Sequence, residues 1–228
     1  MTVTDVNVVK SAIFERPDDA NKGTLGSLLC VCGSYGMAGA AVMSAKGALR
    51  TGIGLAKCAL PRSIYPIVAQ TILESVYYPL SENADGRISK VNVPFLVSES
   101  CKSSATLVGC GLGVCDDTLK VVFSVIENST TPLVLDADAL NCVAKQHEIL
   151  LRKKAPIIIT PHPGEMSRLT GLATPLVNAE RERVALDFAQ KYGVVTVLKG
   201  AGTVIASPNG KVLVNPTGNS GMATGGSG

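Results

Sequence analysis

Five stretches of this sequence carry residues whose types and spacing could do chemistry. The first is Gly33-Ser34-Tyr35-Gly36-Met37-Ala38-Gly39-Ala40-Ala41, which follows an apolar run and opens a helical pattern. Its glycines allow a tight turn, and free amides at a helix start could take an anion or a polar ligand. Tight helix–strand packing is the alternative. Gly109-Cys110-Gly111-Leu112-Gly113 has the same context and reads the same two ways. Asp136-Ala137-Asp138-Ala139-Leu140-Asn141 sets two acids at a strand end. They could serve a metal or a phosphate-bound Mg²⁺, or Asp138 could cap the next helix. In Thr160-Pro161-His162-Pro163-Gly164-Glu165 a histidine stands between two prolines, with an acid three residues on. His162 could touch a ligand, while Glu165 could equally be an acid in a first helical turn. The last stretch runs from Asn215 to Gly228, without charge and rich in glycine. Its successive amides could form an anion-binding nest, or the stretch could fray as termini do.

The elements that must position these loops are legible as alternating apolar runs and amphipathic stretches. Strands are expected at 27–32, 53–60, 105–108, 132–135, 156–160 and 194–198. Helices are expected at 38–51, 90–102, 118–127, 138–151 and 175–192, the last the most clearly amphipathic. Strands 203–206 and 211–214 flank Ser207-Pro208-Asn209-Gly210, a hairpin signal. Strands apolar on both faces and alternating with helices imply a mainly parallel sheet covered on both sides. Ligands of such sheets bind beyond the carboxyl ends of the strands, which is where the loops lie.

Composition narrows the class. The chain has 228 residues, 46% hydrophobic and 17% charged, which excludes intrinsic disorder. One domain of this size can bury a full core without staples. Aromatics are 4% and Trp is absent, so the core is aliphatic. The net charge of +3 is mild. Arg152-Lys153-Lys154 is the densest basic cluster and reads as a solvated helix end rather than a nucleic-acid patch. Seven cysteines without a CxxC, and two histidines, argue against a disulfide framework or a zinc site and fit a reducing cytoplasm. The uncharged run 23–45 is broken by glycines and does not read as a membrane span, and the first residues lack the apolar core of a signal peptide.

Taken together, the loops resemble the ADP/ATP-dependent NAD(P)H-hydrate dehydratase family of the ribokinase-like superfamily. The resemblance rests on Lys22-Gly23-Thr24, the glycine loop from Gly33, Ala48-Leu49-Arg50-Thr51-Gly52-Ile53-Gly54, the loop from Gly109, Asp136 to Asn141, Thr160 to Glu165, Lys199-Gly200-Ala201-Gly202-Thr203 and the terminal stretch. It implies a three-layer α/β/α sandwich, ribokinase-like, with a mainly parallel central sheet. It implies repair of hydrated NADH or NADPH: ADP, or ATP in eukaryotic relatives, phosphorylates the ring hydroxyl, and phosphate then leaves. By the resemblance, Gly39, Ala40, Ala41, Gly111 and His162 would contact the hydrated dinucleotide. Lys199, Gly200, Ala201, Gly202 and Thr203 would hold the adenosine nucleotide. Gly225, Gly226, Ser227 and Gly228 would form an anion hole for the transferred phosphoryl group. Glu165, and Asp136 with it, would sit near Mg²⁺ through water. Neither nucleic acid nor membrane is an expected partner, and the family analogy implies a tetramer.

Two departures stand out. Cys110 replaces a proline common in the family's glycine loop. The family also continues past the position of Gly228 with an Asp that acts as base, then with a mostly helical stretch. The expectation is therefore one ribokinase-like domain over 1–228 without that final stretch, with no catalytic base inside it and impaired turnover. Two readings compete: a ribokinase-like kinase of a vitamin-precursor alcohol, and a non-catalytic nucleotide-binding remnant. A Rossmann dehydrogenase fits least, because the glycine spacing is wrong.

Overall fold

The structure is a computed structural model and describes residues 2–4, 9–10 and 15–226. Ser227 and Gly228, expected in the anion hole, lie outside the described residues. The chain divides into two compact units, Asn21–Ile157 and Met1–Ala20 with Ile158–Gly228.

The larger unit is built on strands β2 (Ser27–Val31), β3 (Leu55–Pro61), β4 (Val76–Leu80), β5 (Ala105–Val108) and β6 (Leu133–Leu135), after a short β1 (Thr2–Val3) that belongs to the other unit. They pair in the order β6-β5-β2-β3-β4, and every pair is parallel. Leu29, Val31, Leu60, Val108 and Leu135 are fully buried, as strands covered on both faces require. β4 stands at the edge, the one place where Pro79 can sit in a strand without breaking a ladder bond. Helices α1 (Ala38–Thr51), α2 (Tyr65–Ala69), α3 (Val93–Lys102), α4 (Asp116–Asn128) and α5 (Asp138–Val143) connect the strands. In α1 the small side chains of Ala41 and Ala45 are buried, which lets the helix lie close on the sheet. Gly52 ends it in the left-handed conformation, φ 101°. The stretch 138–151 is not one helix: α5 stops at Val143, and a 3₁₀ turn covers His147–Arg152.

The smaller unit holds β7 (Ile157–Ile159, its last two residues), α6 (Pro163–Thr170), α7 (Thr174–Ala179), α8 (Arg181–Tyr192), β8 (Val195–Leu198), β9 (Thr203–Ala206) and β10 (Val212–Asn215). β7 and β8 are parallel, β8–β9–β10 is an antiparallel meander, and β1 adds in parallel to β10. The hairpin expected at 207–210 forms, with Gly210 at φ 94° and its amide bonded to the Ser207 carbonyl at 3.0 Å. The long helix expected at 175–192 is broken: Glu180, at φ −124° and ψ 39°, separates α7 from α8. No described helix is long and apolar enough to cross a membrane.

Candidate active-site loops

In the larger unit the parallel register carries three loops to one end of the sheet. Val31 pairs with Val108 and Val108 with Leu135, so the chain leaves β2, β5 and β6 side by side. The two glycine loops then lock together. The Gly33 amide donates to the Cys110 carbonyl at 2.8 Å, and the buried Ser34 hydroxyl donates to the Gly111 carbonyl at 2.8 Å. Gly111, at φ 67°, has room only for hydrogen: a Cβ there would lie 2.7 Å from the Ala40 methyl. Gly109 is tighter still, since a Cβ would fall 1.9 Å from the Asp136 carbonyl oxygen. Of the two alternatives for these loops, these contacts are those of tight packing. Ala41 is buried in the aliphatic core with Cys32 and Ile64, whereas Ala40 sits against the second loop. The Ala38 and Gly39 amides at the start of α1 have no acceptor among the described residues, and no side chain caps that end. They are the orphan donors of this helix start.

The acidic loop after β6 ties into the same assembly. Asp138 accepts from the Gly113 amide at 2.8 Å and from the Asn141 side chain at 3.1 Å. Its carboxylate therefore braces the second glycine loop instead of capping α5. Ala137 is the one described non-glycine residue with positive φ, at 49°. That conformation costs on the order of 1–3 kcal/mol and persists because its neighbours hold it. Asp136 takes a long contact from the Cys110 thiol, 3.5 Å. A hydrogen bond with Cys110, and then burial, push the Cys32 thiol up, while the same bond holds Cys110 below its ordinary value.

In the smaller unit Ile159 pairs with Thr196, so the loops after β7 and β8 also leave one end together. The Lys199 amide donates to the Pro161 carbonyl at 2.8 Å and fastens them. His162 caps α6: its Nδ1 accepts from the Gly164 and Glu165 amides at 3.0 and 3.4 Å. Glu165 returns the bond, its Oε2 accepting from the His162 amide at 2.8 Å. This capping box makes Glu165 a first-turn acid, and Pro163 at the helix start is the residue that suits that position. The His162 ring remains half exposed, with Nε2 3.4 Å from Glu165 Oε1.

The Lys199-to-Thr203 loop borders a cleft of about 600 Å³ lined by Asn178, Glu180, Arg181, Ala201, Val204 and Val214 among others. Arg181 stands beneath the loop. Its Nη2 donates to the Leu198 carbonyl at 2.8 Å and lies 3.5 Å from the Gly202 carbonyl. Burial pushes its guanidinium below the ordinary value. Gly225 and Gly226 follow a 3₁₀ turn at Ser220–Met222 and are exposed, Gly226 at φ 85°.

Sequence reasoning missed three of these residues. Ser34, Asp138 as a brace, and Arg181 act through partners 77, 25 and 17 positions away. The signal for Arg181 was a cation at a helix start, where the helix dipole disfavours it.

Comparison with known proteins decides the family. The family model for NAD(P)H-hydrate dehydratase matches residues 28–228. The chain belongs to that family. A bifunctional NAD(P)H-hydrate repair enzyme Nnr of Thermofilum pendens is 40% identical over 213 residues, 93% of this chain and 41% of that protein. An ADP-dependent (S)-NAD(P)H-hydrate dehydratase of Neisseria meningitidis is 34% identical over 216 residues, 93% of this chain and 69% of that protein. The crystal structure of ADP/ATP-dependent NAD(P)H-hydrate dehydratase from Bacillus subtilis, co-crystallized with ATP/Mg²⁺, superposes with TM-score 0.81 at 30% identity, covering 99% of this chain and 76% of that one. The chain therefore spans about two fifths of the length of the bifunctional relatives, 41% of the Thermofilum protein. These matches confirm the α/β, mainly parallel-sheet, ribokinase-like fold expected from the sequence.

Proposed function

We propose that this chain serves the ADP-dependent dehydration of hydrated NADH and NADPH. The observation that carries the reading is the Lys199-to-Thr203 loop. Among the described residues, the amides of Gly200, Ala201 and Gly202 have no acceptor, and Ala201 and Gly202 line an open cleft. Unclaimed amides in a row are what an anionic nucleotide needs, and the family supplies the nucleotide.

The chemistry follows from leaving groups. Hydroxide leaves a carbon poorly at neutral pH. Transfer of the terminal phosphoryl group of ADP to the ring hydroxyl gives AMP and a phosphate ester. Phosphate then departs with the C–O bond pair, pushed by the ring nitrogen's lone pair. A proton leaves the neighbouring carbon, and the ring double bond returns.

The roles proposed for this chain are binding and orientation. Gly39, Ala40 and Ala41, with Gly111, form the dinucleotide contact in the larger unit. The free Ala38 and Gly39 amides suit its phosphates. His162, its ring half exposed, is a further contact with the dinucleotide. The loop from Lys199 to Thr203 takes the nucleotide, and Gly225 and Gly226, with Ser227 and Gly228 beyond them, offer amides to the transferred phosphoryl group.

Mg²⁺ would arrive on the nucleotide. Among the described residues no three His, Cys, Asp or Glu side chains gather closely enough to hold a metal. Glu165 and Asp136, each already in a local contact, fit a hydrated ion carried by phosphates better than a protein cage. When bound, the ion would neutralise charge on the transferring group.

The test is the near-ultraviolet absorbance of the dihydropyridine ring, followed after ADP is added to hydrated NADH and the protein. Recovery that requires ADP supports the reading. No recovery with ADP or ATP by a form that also carries the family's Asp-containing stretch contradicts it, and a stable phosphate ester without recovery points to an alcohol kinase.

A further inference from the structure

We propose that Arg181 is the positioning residue of the nucleotide loop, a guanidinium that holds the carbonyls at the loop's two ends, Leu198 and Gly202, while the amides between them stay open to the ligand. The inference rests on the nucleotide reading above and adds a residue to it.

Three observations carry it. The first is where the loop's acceptors go. Arg181 Nη2 holds the Leu198 carbonyl at 2.8 Å and reaches the Gly202 carbonyl at 3.5 Å, and the Thr203 hydroxyl holds the Gly200 carbonyl at 3.0 Å. In a trans peptide the carbonyl and the next residue's amide point opposite ways. The Ala201 amide therefore points away from the Thr203 hydroxyl that holds the Gly200 carbonyl. The carbonyls of Leu198, Gly200 and Gly202 are thus held, while the amides of Gly200, Ala201 and Gly202 have no acceptor among the described residues.

The second is the fit between Gly200 and Arg181. Gly200 has φ 148°, and a Cβ there would stand 2.8 Å from Arg181 Nη1 and 3.0 Å from Nη2. The glycine leaves space that the guanidinium fills. The planar fork reaches two carbonyls from one side, which a lysine ammonium on a flexible stem does poorly.

The third is charge. Arg181 opens α8, the end where the helix dipole disfavours a cation. Among the described residues it has no carboxylate within ion-pair distance, because the adjacent Glu180 pairs with Arg183 instead. Its Nε is buried without a partner. A half-buried cation without an ion pair, beside a cleft whose lining also holds Glu180, Glu182 and Arg183, becomes more favourable once an anionic ligand arrives.

The experiment is calorimetric titration of ADP into the 228-residue chain and its variants, with thermal melting and titration of hydrated NADH as controls. Arg181→Met should weaken ADP binding about tenfold or more, the scale of losing a charged hydrogen-bond donor. Arg181→Lys should fall between it and the parent. Gly200→Ala should give a similar loss, and the double variant should lose less than the sum, because both changes break one fit. Hydrated NADH affinity should not move in any of them. Equal ADP affinity in parent and Arg181→Met overturns the inference while leaving the nucleotide reading intact. No ADP binding by the parent overturns both. A parallel loss of both ligands, or additive losses in the double variant, overturns it in favour of a general structural role. Should Arg181→Met fail to fold, Arg181→Lys and Gly200→Ala decide by the same criteria.

Discussion

The loops of the larger unit and those of the smaller unit use glycine for opposite purposes. Gly109 and Gly111 are points of collision, where any side chain would strike the Asp136 carbonyl or the Ala40 methyl. Their loops are held by backbone bonds, by the buried Ser34 hydroxyl and by the Asp138 carboxylate on the Gly113 amide. Gly200 and Gly202 belong to a loop held from below by a charged side chain, with its amides left open. One pair of loops is rigid because it is full. The other is shaped by a guanidinium that a ligand can sense. Glycine count alone does not separate these uses; the nearest atom to the missing Cβ does.

Four substitutions test that contrast, from the largest effect to the smallest. Gly109→Ala should be the most damaging, because its Cβ would lie 1.9 Å from a backbone carbonyl at φ 126°. A loss above about 3 kcal/mol, or no folded protein, is expected in denaturant melts. Ser34→Ala removes a buried donor from the Gly111 carbonyl and should cost about 1–3 kcal/mol. Calorimetry should also show weaker binding of hydrated NADH with ADP affinity kept. His162→Ala breaks the capping box of α6 and should cost about 0.5–2 kcal/mol in the same melts. Gly36→Ala meets nothing within 4 Å and pays only for φ 82°. About 1 kcal/mol is expected, and a larger loss would mean that the open surroundings of Gly36 close on the loop.

Much of this was legible in the sequence, for identifiable reasons. α1, β5 and β9 fall at the expected residues, 38–51, 105–108 and 203–206, because apolar runs there end sharply at glycine or polar residues. β4 escaped notice because Pro79 and exposed Val76 disguise an edge strand. Of α6 only Glu165 as a first-turn acid was legible, because the proline-flanked stretch reads as loop until Pro163 is seen as a helix start. The break at Glu180 was invisible because glutamate favours helix and the amphipathic period continues through it. Among candidate site residues, the positions of the glycine loops followed from the strands before them. What holds those loops did not. Ser34, Asp138 and Arg181 act through tertiary partners that no local pattern encodes.

The central claim is that the smaller unit offers its open amides to the nucleotide while the larger unit's packed glycines serve the loops that meet the dinucleotide. The most direct measurement is amide chemical-shift perturbation as ADP is titrated into the isotopically labelled chain. The account predicts that the Gly200, Ala201 and Gly202 amides shift with ADP, that those of Gly109 and Gly111 do not, and that Ala38 and Gly39 shift when hydrated NADH is added. Gly200, Ala201 and Gly202 unmoved at saturating ADP would contradict it.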